Sequence, residues 1–200
     1  MSDLILVRHG ESEWNQKGLW TGLTDVSLSE KGKEEAQMAG EKLKGQSIDL
    51  AYTSLLLRAK QTLNEIKAVL GIDIPAIENK ALNERDYGIY TGKNKLEIKE
   101  KIGEEQFQKI RRGWDTPIEN GESLKDVYSR AVPYYESEIL PKLKEGKNVL
   151  IAAHGNSLRA LVKYLENLSD EAVESLEIAT GEIFVYKIDN KGNVISQVQL

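Results

Sequence analysis

Leu4-Ile5-Leu6-Val7-Arg8-His9-Gly10-Glu11 and Asn148-Val149-Leu150-Ile151-Ala152-Ala153-His154-Gly155 decide the fold. Each is a continuous apolar run that ends in His-Gly. An apolar run without alternation is the pattern of a strand buried on both faces, as in parallel sheets covered by helices. His9 and His154 then stand at C-terminal strand ends, the edge where open α/β sheets bind ligands. They are the only two histidines in the chain. A strand end beside a helix N-terminus offers free N–H groups to an anion, and the following Gly lets the backbone approach closely. If the two strands are neighbours, both sites converge on one phosphate. Taken singly, each His can equally satisfy a local turn; the matched setting is what argues for a site.

Working outward, residues 12–28 read as a loop. Ser29 caps a helix that carries Ala36, Gly40 and Leu43 and stops at Gly45. Residues 48–52 form a second strand. Thr53-Ser54 are expected to cap the next helix, with Ala59, Leu63, Ile66 and Leu70 inward and Gly71 as its stop. A short strand follows at 74–78. Residues 80–120 are polar and irregular, with helical pieces near 93–110. A long helix near 121–143 places Leu124, Val127, Ala131 and Tyr134 on one face, with a kink expected at Pro133. Helices near 157–167 and 169–176 follow the second His. Residues 183–188 and 194–198 read as a hairpin turning at Asn190-Lys191-Gly192-Asn193. Strands alternating with helices predict one α/β domain over 1–200, a three-layer sandwich with a mostly parallel sheet.

The chain has 200 residues, 40% of them hydrophobic, no Cys and a formal net charge of -5. Disulfides, thiolate nucleophiles and Cys-based metal sites are excluded. The acidic balance argues against nucleic acid. No apolar run reaches the roughly 20 residues that span a bilayer. With no basic segment ahead of the first apolar run, a cytoplasmic location is expected. An acidic chain that handles an anion must gather its cations locally. Arg8 ends a buried strand and needs a partner, either a phosphate or a nearby carboxylate. Arg58 stands in the first turns of a helix, where a cation opposes the dipole; it is a site residue or a solvated surface Arg. Arg111-Arg112 offer forks for carboxylate or phosphate, or else an exposed basic helix end. HExxH, P-loop and dinucleotide-binding patterns are absent, so no metal site is expected.

Leu6-Val7-Arg8-His9-Gly10-Glu11 resembles the Arg-His-Gly signature of the histidine phosphatase superfamily. The likeness is greatest to the phosphoglycerate mutases that depend on 2,3-bisphosphoglycerate, and it runs through nearly the whole chain. It continues in Thr21-Gly22, Leu28-Ser29-Glu30-Lys31-Gly32, Tyr52-Thr53-Ser54 with Arg58-Ala59, and Leu82-Asn83-Glu84-Arg85 to Tyr87-Gly88. Asn94-Lys95, Arg111-Arg112-Gly113, Gly121-Glu122-Ser123-Leu124 and Ala152 to Arg159 complete it.

The resemblance implies that His9 is the nucleophile that becomes phosphohistidine. It implies that Arg8, Arg58 and His154 hold the transferring phosphoryl and that Glu84 gives and takes the proton. Asn15, Thr21, Gly22 and Asn156 become phosphate-pocket contacts, and Tyr87, Lys95, Arg111 and Arg112 the grip on carboxylate and second phosphate. The implied activity interconverts 3- and 2-phosphoglycerate, primed by 2,3-bisphosphoglycerate. The alternative is a broad-specificity phosphatase for small monoesters; a non-catalytic module of this fold would be expected to lose His9, Arg58 or Glu84. The mutases usually carry a longer insertion where this chain has only Trp114 to Gly121, and many have a C-terminal tail that is missing here. From both departures a monomer is expected, and enclosure of the site is open.

Overall fold

The computed structural model describes residues 1–200. The strands are β1 (Ser2–Arg8), β2 (Leu50–Thr53), β3 (Ala76–Glu78), β4 (Val149–Ala153), β5 (Ile183–Ile188) and β6 (Val194–Gln199). The helices are α1 (Glu13–Gln16), α2 (Glu30–Lys42), α3 (Leu57–Leu70), α4 (Lys95–Ile102), α5 (Glu104–Arg112), α6 (Leu124–Tyr134), α7 (Leu140–Lys144), α8 (Gly155–Leu165) and α9 (Asp170–Ser175). One sheet runs in the order β3-β2-β4-β1-β5-β6. Its first four strands are parallel; β5 and β6 add an antiparallel edge.

The two apolar runs lie side by side, with Leu4 opposite Val149 and Arg8 opposite Ala153. Their residues alternate between two cores because successive strand side chains point to opposite faces. Leu4, Leu6, Tyr52, Val149 and Ile151 pack with Ala131, Leu143, Leu158 and Leu161 from α6, α7 and α8. Ile5, Val7, Ala51, Leu150 and Ala152 pack with Ala39 and Leu43 of α2 and Leu63 and Ile66 of α3. Burying each Leu, Ile or Val among these contributes about 1.5–3 kcal/mol, so both faces need their helices, and three layers result. A satellite core of Trp20, Ile98, Phe107, Ile110 and Ile118 carries α4 and α5 above the sheet edge. No helix is long and apolar enough to cross a membrane.

Three local readings differ from expectation. The 12–28 loop contains α1, started by a reciprocal cap: Asn15 N–H donates to Ser12 Oγ at 3.2 Å and Ser12 N–H to Asn15 Oδ1 at 3.1 Å. Thr53 and Ser54 do not cap α3. Its N-cap is Leu56, and Leu57 N–H donates to Asp25 Oδ1, 32 residues away, at 2.6 Å. Thr53 Oγ1 instead donates to the Ala152 carbonyl at 2.8 Å, tying β2 to β4. The long helix continues past Pro133, and its irregularity is a π turn at Tyr135–Ile139 leading into α7. Tyr135, four residues after Ala131, is buried at 1% exposure, and Tyr134 packs half-buried on the same core.

Gly10 is required by contact. A Cβ there would lie 2.0 Å from the Gly32 carbonyl oxygen, and one on Gly32 would lie 1.9 Å from the Glu11 carbonyl oxygen. This backbone crossing seats the turn after His9 on α2. Gly10→Ala is expected to destabilise the fold by about 1–3 kcal/mol, the usual cost of overpacking. Urea unfolding checks it, and an unchanged midpoint would refute the tight crossing.

Candidate active site

His9 ends β1 and its backbone N–H donates to the Ala153 carbonyl at 2.9 Å, so the turn leaves the sheet beside β4. The side chain is 2% exposed. Nδ1 lies 2.7 Å from the Gly10 carbonyl. A carbonyl only accepts, so Nδ1 carries the proton and Nε2 is left as a bare lone pair. Burial, with Arg58 and then Arg8 beside it, holds the imidazole well below the usual histidine range. The ring is therefore neutral near pH 7, the form that can attack phosphorus.

His154 is fully buried at the end of β4, with its ring centroid 4.9 Å from that of His9. Its Nε2 lies 2.7 Å from Ser54 Oγ, while Nδ1 is buried without a partner. Burial lowers its pKa too, with Arg58, His9 and Arg8 adding to the effect. Arg58 is 1% exposed, which removes the solvated reading; it donates to the carbonyls of Gly22 at 2.9 Å and Thr24 at 3.0 Å. Arg8 makes no ion pair. Its Nη1 donates to the Ile178 carbonyl, and its Nε is buried with no protein partner. Thr21 Oγ1 is orphaned in the same way. Buried donors without acceptors are costly, and an anion bound at this point would satisfy them.

Glu84 faces this group, 8% exposed. Its Oε1 accepts from Arg85 N at 2.8 Å, Asn156 N at 3.2 Å and Asn156 Nδ2 at 3.0 Å. Three donors saturate that oxygen, so a proton enters or leaves only at Oε2. A Cβ on Gly155 would stand 3.8 Å from Oε2 and 3.5 Å from Arg8 Nε, which places both atoms around the same glycine. Asn156 Nδ2 also donates to Tyr87 Oη at 2.9 Å. Tyr87 is held by Trp20, with ring centroids 4.5 Å apart, and by Arg85, 4.6 Å over its face.

A cavity of about 350 Å³ opens above these groups. It is lined by Arg8, His9, Asn15, Thr21, Gly22, Arg58, Glu84, Tyr87, Lys95, Arg111, Arg112 and Asn156, all expected from the sequence. His154 is not among the lining residues; its ring meets that of His9 edge-on at 63°. Lys95 begins α4, and burial, then Arg111 and Arg8, push its ammonium down to about 8. Arg111, exposed at the end of α5, has no side-chain partner, whereas Arg112 is ion-paired to Glu177 and also donates to the Leu176 carbonyl at 3.4 Å.

The sequence reading missed several wall residues: Trp20, Gly155, Arg159, Glu177, Ile178 and Glu182. Arg159 Nη1 donates to Asn156 Oδ1 at 3.0 Å and so turns Nδ2 toward Glu84. It belongs to the quoted run after His154, and its i, i+3 spacing from Asn156 on α8 was the available signal. The segment 176–182 had no local signal; it is placed by contacts with Arg8. The short 113–121 stretch does not leave a gap. Ile118 joins the satellite core, Ile89 N–H donates to the Glu119 carbonyl at 3.1 Å, and Glu122 N–H to the Asp86 carbonyl at 2.9 Å.

The model of the histidine phosphatase superfamily (branch 1) matches residues 4–200. A 2,3-bisphosphoglycerate-dependent phosphoglycerate mutase of Parvibaculum lavamentivorans is 54% identical over 200 residues, covering 98% of this chain and 95% of that protein. Another, of Chelativorans sp., is 51% identical over 197 residues, covering 97% and 96%. Among solved structures, Bacillus stearothermophilus YhfR superposes with a TM-score of 0.86 at 28% identity, covering 97% of this chain and 94% of that one. The chain belongs to the histidine phosphatase superfamily and, within it, to the family of the 2,3-bisphosphoglycerate-dependent phosphoglycerate mutases. These relatives are covered almost end to end, so the short 113–121 stretch and short C-terminus do not set the chain apart from them.

Two histidines buried neutral make stability depend on pH. The unfolded chain takes up a proton on each below about pH 6.5, while the native state resists because both pKa values are depressed. Stability is then full above that pH and is lost as pH falls below it. Thermal melts of the ligand-free protein between pH 7.5 and 5 are expected to show a falling midpoint, flatter in a His154→Ala variant. Equal slopes in the two proteins would refute this.

Proposed function

We propose that the protein interconverts 3-phosphoglycerate and 2-phosphoglycerate through a phosphohistidine at His9, primed by 2,3-bisphosphoglycerate. The observation that carries this reading is one cavity lined by more cations than a single phosphate needs. By burial, His9 and Arg58 lie deepest with Arg8 beside them and form the floor, while half-buried Lys95 and exposed Arg111 stand toward the mouth. A single phosphate needs only the floor. A three-carbon acid with a phosphate at one end and a carboxylate or second phosphate at the other uses both. Arg112, already paired with Glu177, supports this grip from behind.

The chemistry follows from the hydrogen bonds. His9 Nε2 attacks phosphorus in line; the P–O bond to the glycerate oxygen breaks, and Glu84 Oε2 protonates that leaving oxygen. The charge spread over the three equatorial oxygens meets Arg8, Arg58 and the buried orphan donors. Asn15, Thr21, Gly22 and Asn156 line the phosphate end. In the return step Glu84 takes the proton from the other hydroxyl as that oxygen attacks the phosphohistidine. When bound, 2,3-bisphosphoglycerate supplies the phosphoryl group that charges His9; the same floor and mouth residues would hold it. A phosphatase reading requires water to reach the phosphohistidine ahead of the second hydroxyl. The packed 113–121 stretch and the wall at 176–182 favour retention instead.

One preparation decides between the two outputs, with isomerised phosphoglycerate followed by coupling to enolase and free phosphate by colorimetry. Isomerisation is expected to dominate with saturating 2,3-bisphosphoglycerate; phosphate release that outpaces it would overturn the mutase reading. Glu84→Gln keeps an acceptor for its three donors but loses the proton carrier. It is expected to cut kcat by about 10²–10⁴-fold with binding largely kept, and near-normal turnover would assign the proton to another group.

A further inference from the structure

Ser54 has no part in the chemistry described so far, yet its hydroxyl is fully buried against His154. Two groups reach that oxygen. Leu56 N–H donates to it at 3.1 Å, and His154 Nε2 lies 2.7 Å away. A hydroxyl has one proton to give. It cannot go to Leu56 N–H, which is itself a donor, so it goes to Nε2. Were Nε2 protonated instead, the Ser54 hydroxyl would meet two donors and have no acceptor of its own inside the protein.

We propose that Ser54 is a positioning residue that fixes His154 as its Nδ1–H tautomer, so that this N–H donates to the phosphoryl group carried by His9. The proposal rests on the reading that His9 carries the phosphoryl. The unpartnered, buried Nδ1 of His154 is the second observation that supports it. Burial beside Arg58 keeps the ring neutral, so it has a single N–H to place. The two histidines are thus set in complementary ways. The Gly10 carbonyl accepts from His9 Nδ1 and bares Nε2 for attack. The Ser54 hydroxyl donates to His154 Nε2 and leaves Nδ1–H to bind an oxygen. Without Ser54 both tautomers of His154 become accessible, and one of them turns a lone pair where the other offers a donor.

The chain's two histidines give two imidazole spin systems, so two-bond ¹H–¹⁵N correlations on ¹⁵N-histidine protein read each tautomer directly. In the wild type, His154 is expected to be protonated at Nδ1, and inorganic phosphate to shift that N–H. In Ser54→Ala the His154 signals should move toward the other tautomer while those of His9 hold. The same variant should lose about 10- to 100-fold in kcat, the scale seen when tautomer-fixing partners of metal-bound histidines are removed, with KM little changed. Ser54→Thr should restore both. Wild-type His154 protonated at Nε2, no response to phosphate, or Ser54→Ala with unchanged tautomer and kcat would each overturn the proposal. Should Ser54→Ala fail to fold, the wild-type spectrum and Ser54→Thr decide it. The spectra need no turnover, so failure of the mutase reading is seen separately, in the enolase-coupled assay.

Discussion

Arg8, His9, Arg58 and His154 are gathered into one small buried volume, and the structure around them is organised to make that tolerable. Burying positive charge without a counter-charge is expensive. Here the two imidazoles escape the cost by staying neutral. The two guanidiniums cannot, so they donate to carbonyls: Arg58 to Gly22 and Thr24, Arg8 to Ile178. Carbonyl dipoles and the Glu84 carboxylate, with Asp25 acting on Arg58, offset part of the charge and leave buried donors without an acceptor. The floor is therefore a standing demand for an anion, built into the free protein and needing no rearrangement at the moment of reaction.

That demand depends on the pairing of β1 with β4. The chain passes from β1 through α2 and on to β2, and only β4, arriving 140 residues after β1 ends, fills the place between them. His9 and His154 become neighbours because Arg8 and Ala153 are in register. Helices leave the two strands toward opposite faces, which opens a crevice at their ends, the place where open α/β sheets bind ligands. A one-residue slip would exchange the two cores of β1 and turn its apolar faces the wrong way. Core packing thus fixes the register that aligns the catalytic groups.

Much of this was legible in sequence where the cause is local or repeats. The runs before His9 and His154 read as doubly buried strands because they are doubly buried. Gly71 ends α3 in the left-handed region, with φ 65°, and Ser29 caps α2 through its Oγ, as their types suggest. What failed was of two kinds. Thr53-Ser54 looked like a cap because Ser and Thr favour that role, but the sheet and His154 had stronger claims on their hydroxyls, and Asp25 from a distant loop took over the cap. The π turn at Tyr135–Ile139 follows from no residue pattern in the sequence. The pairing of Arg112 with Glu177, 65 residues apart, and the placing of the 176–182 wall are products of tertiary contact and leave no pattern in either segment.

In the proposed mechanism, that wall bears on how long a phosphohistidine at His9 would survive. It is not a free flap. Gly181 N–H donates to the Arg8 carbonyl at 3.1 Å, Arg8 N–H to the Glu182 carbonyl at 3.1 Å, and Arg8 Nη1 to the Ile178 carbonyl. Three bonds fasten the segment to the residue beside His9, and Glu177 fastens it again to the end of α5 through Arg112. Displacing the wall to admit water would pull on the Arg8 guanidinium and on the helix that carries Arg111. Under the proposed mechanism, exclusion of water and grip on the substrate then rest on the same set of contacts, so loosening the wall to admit water would cost phosphoryl transfer as well.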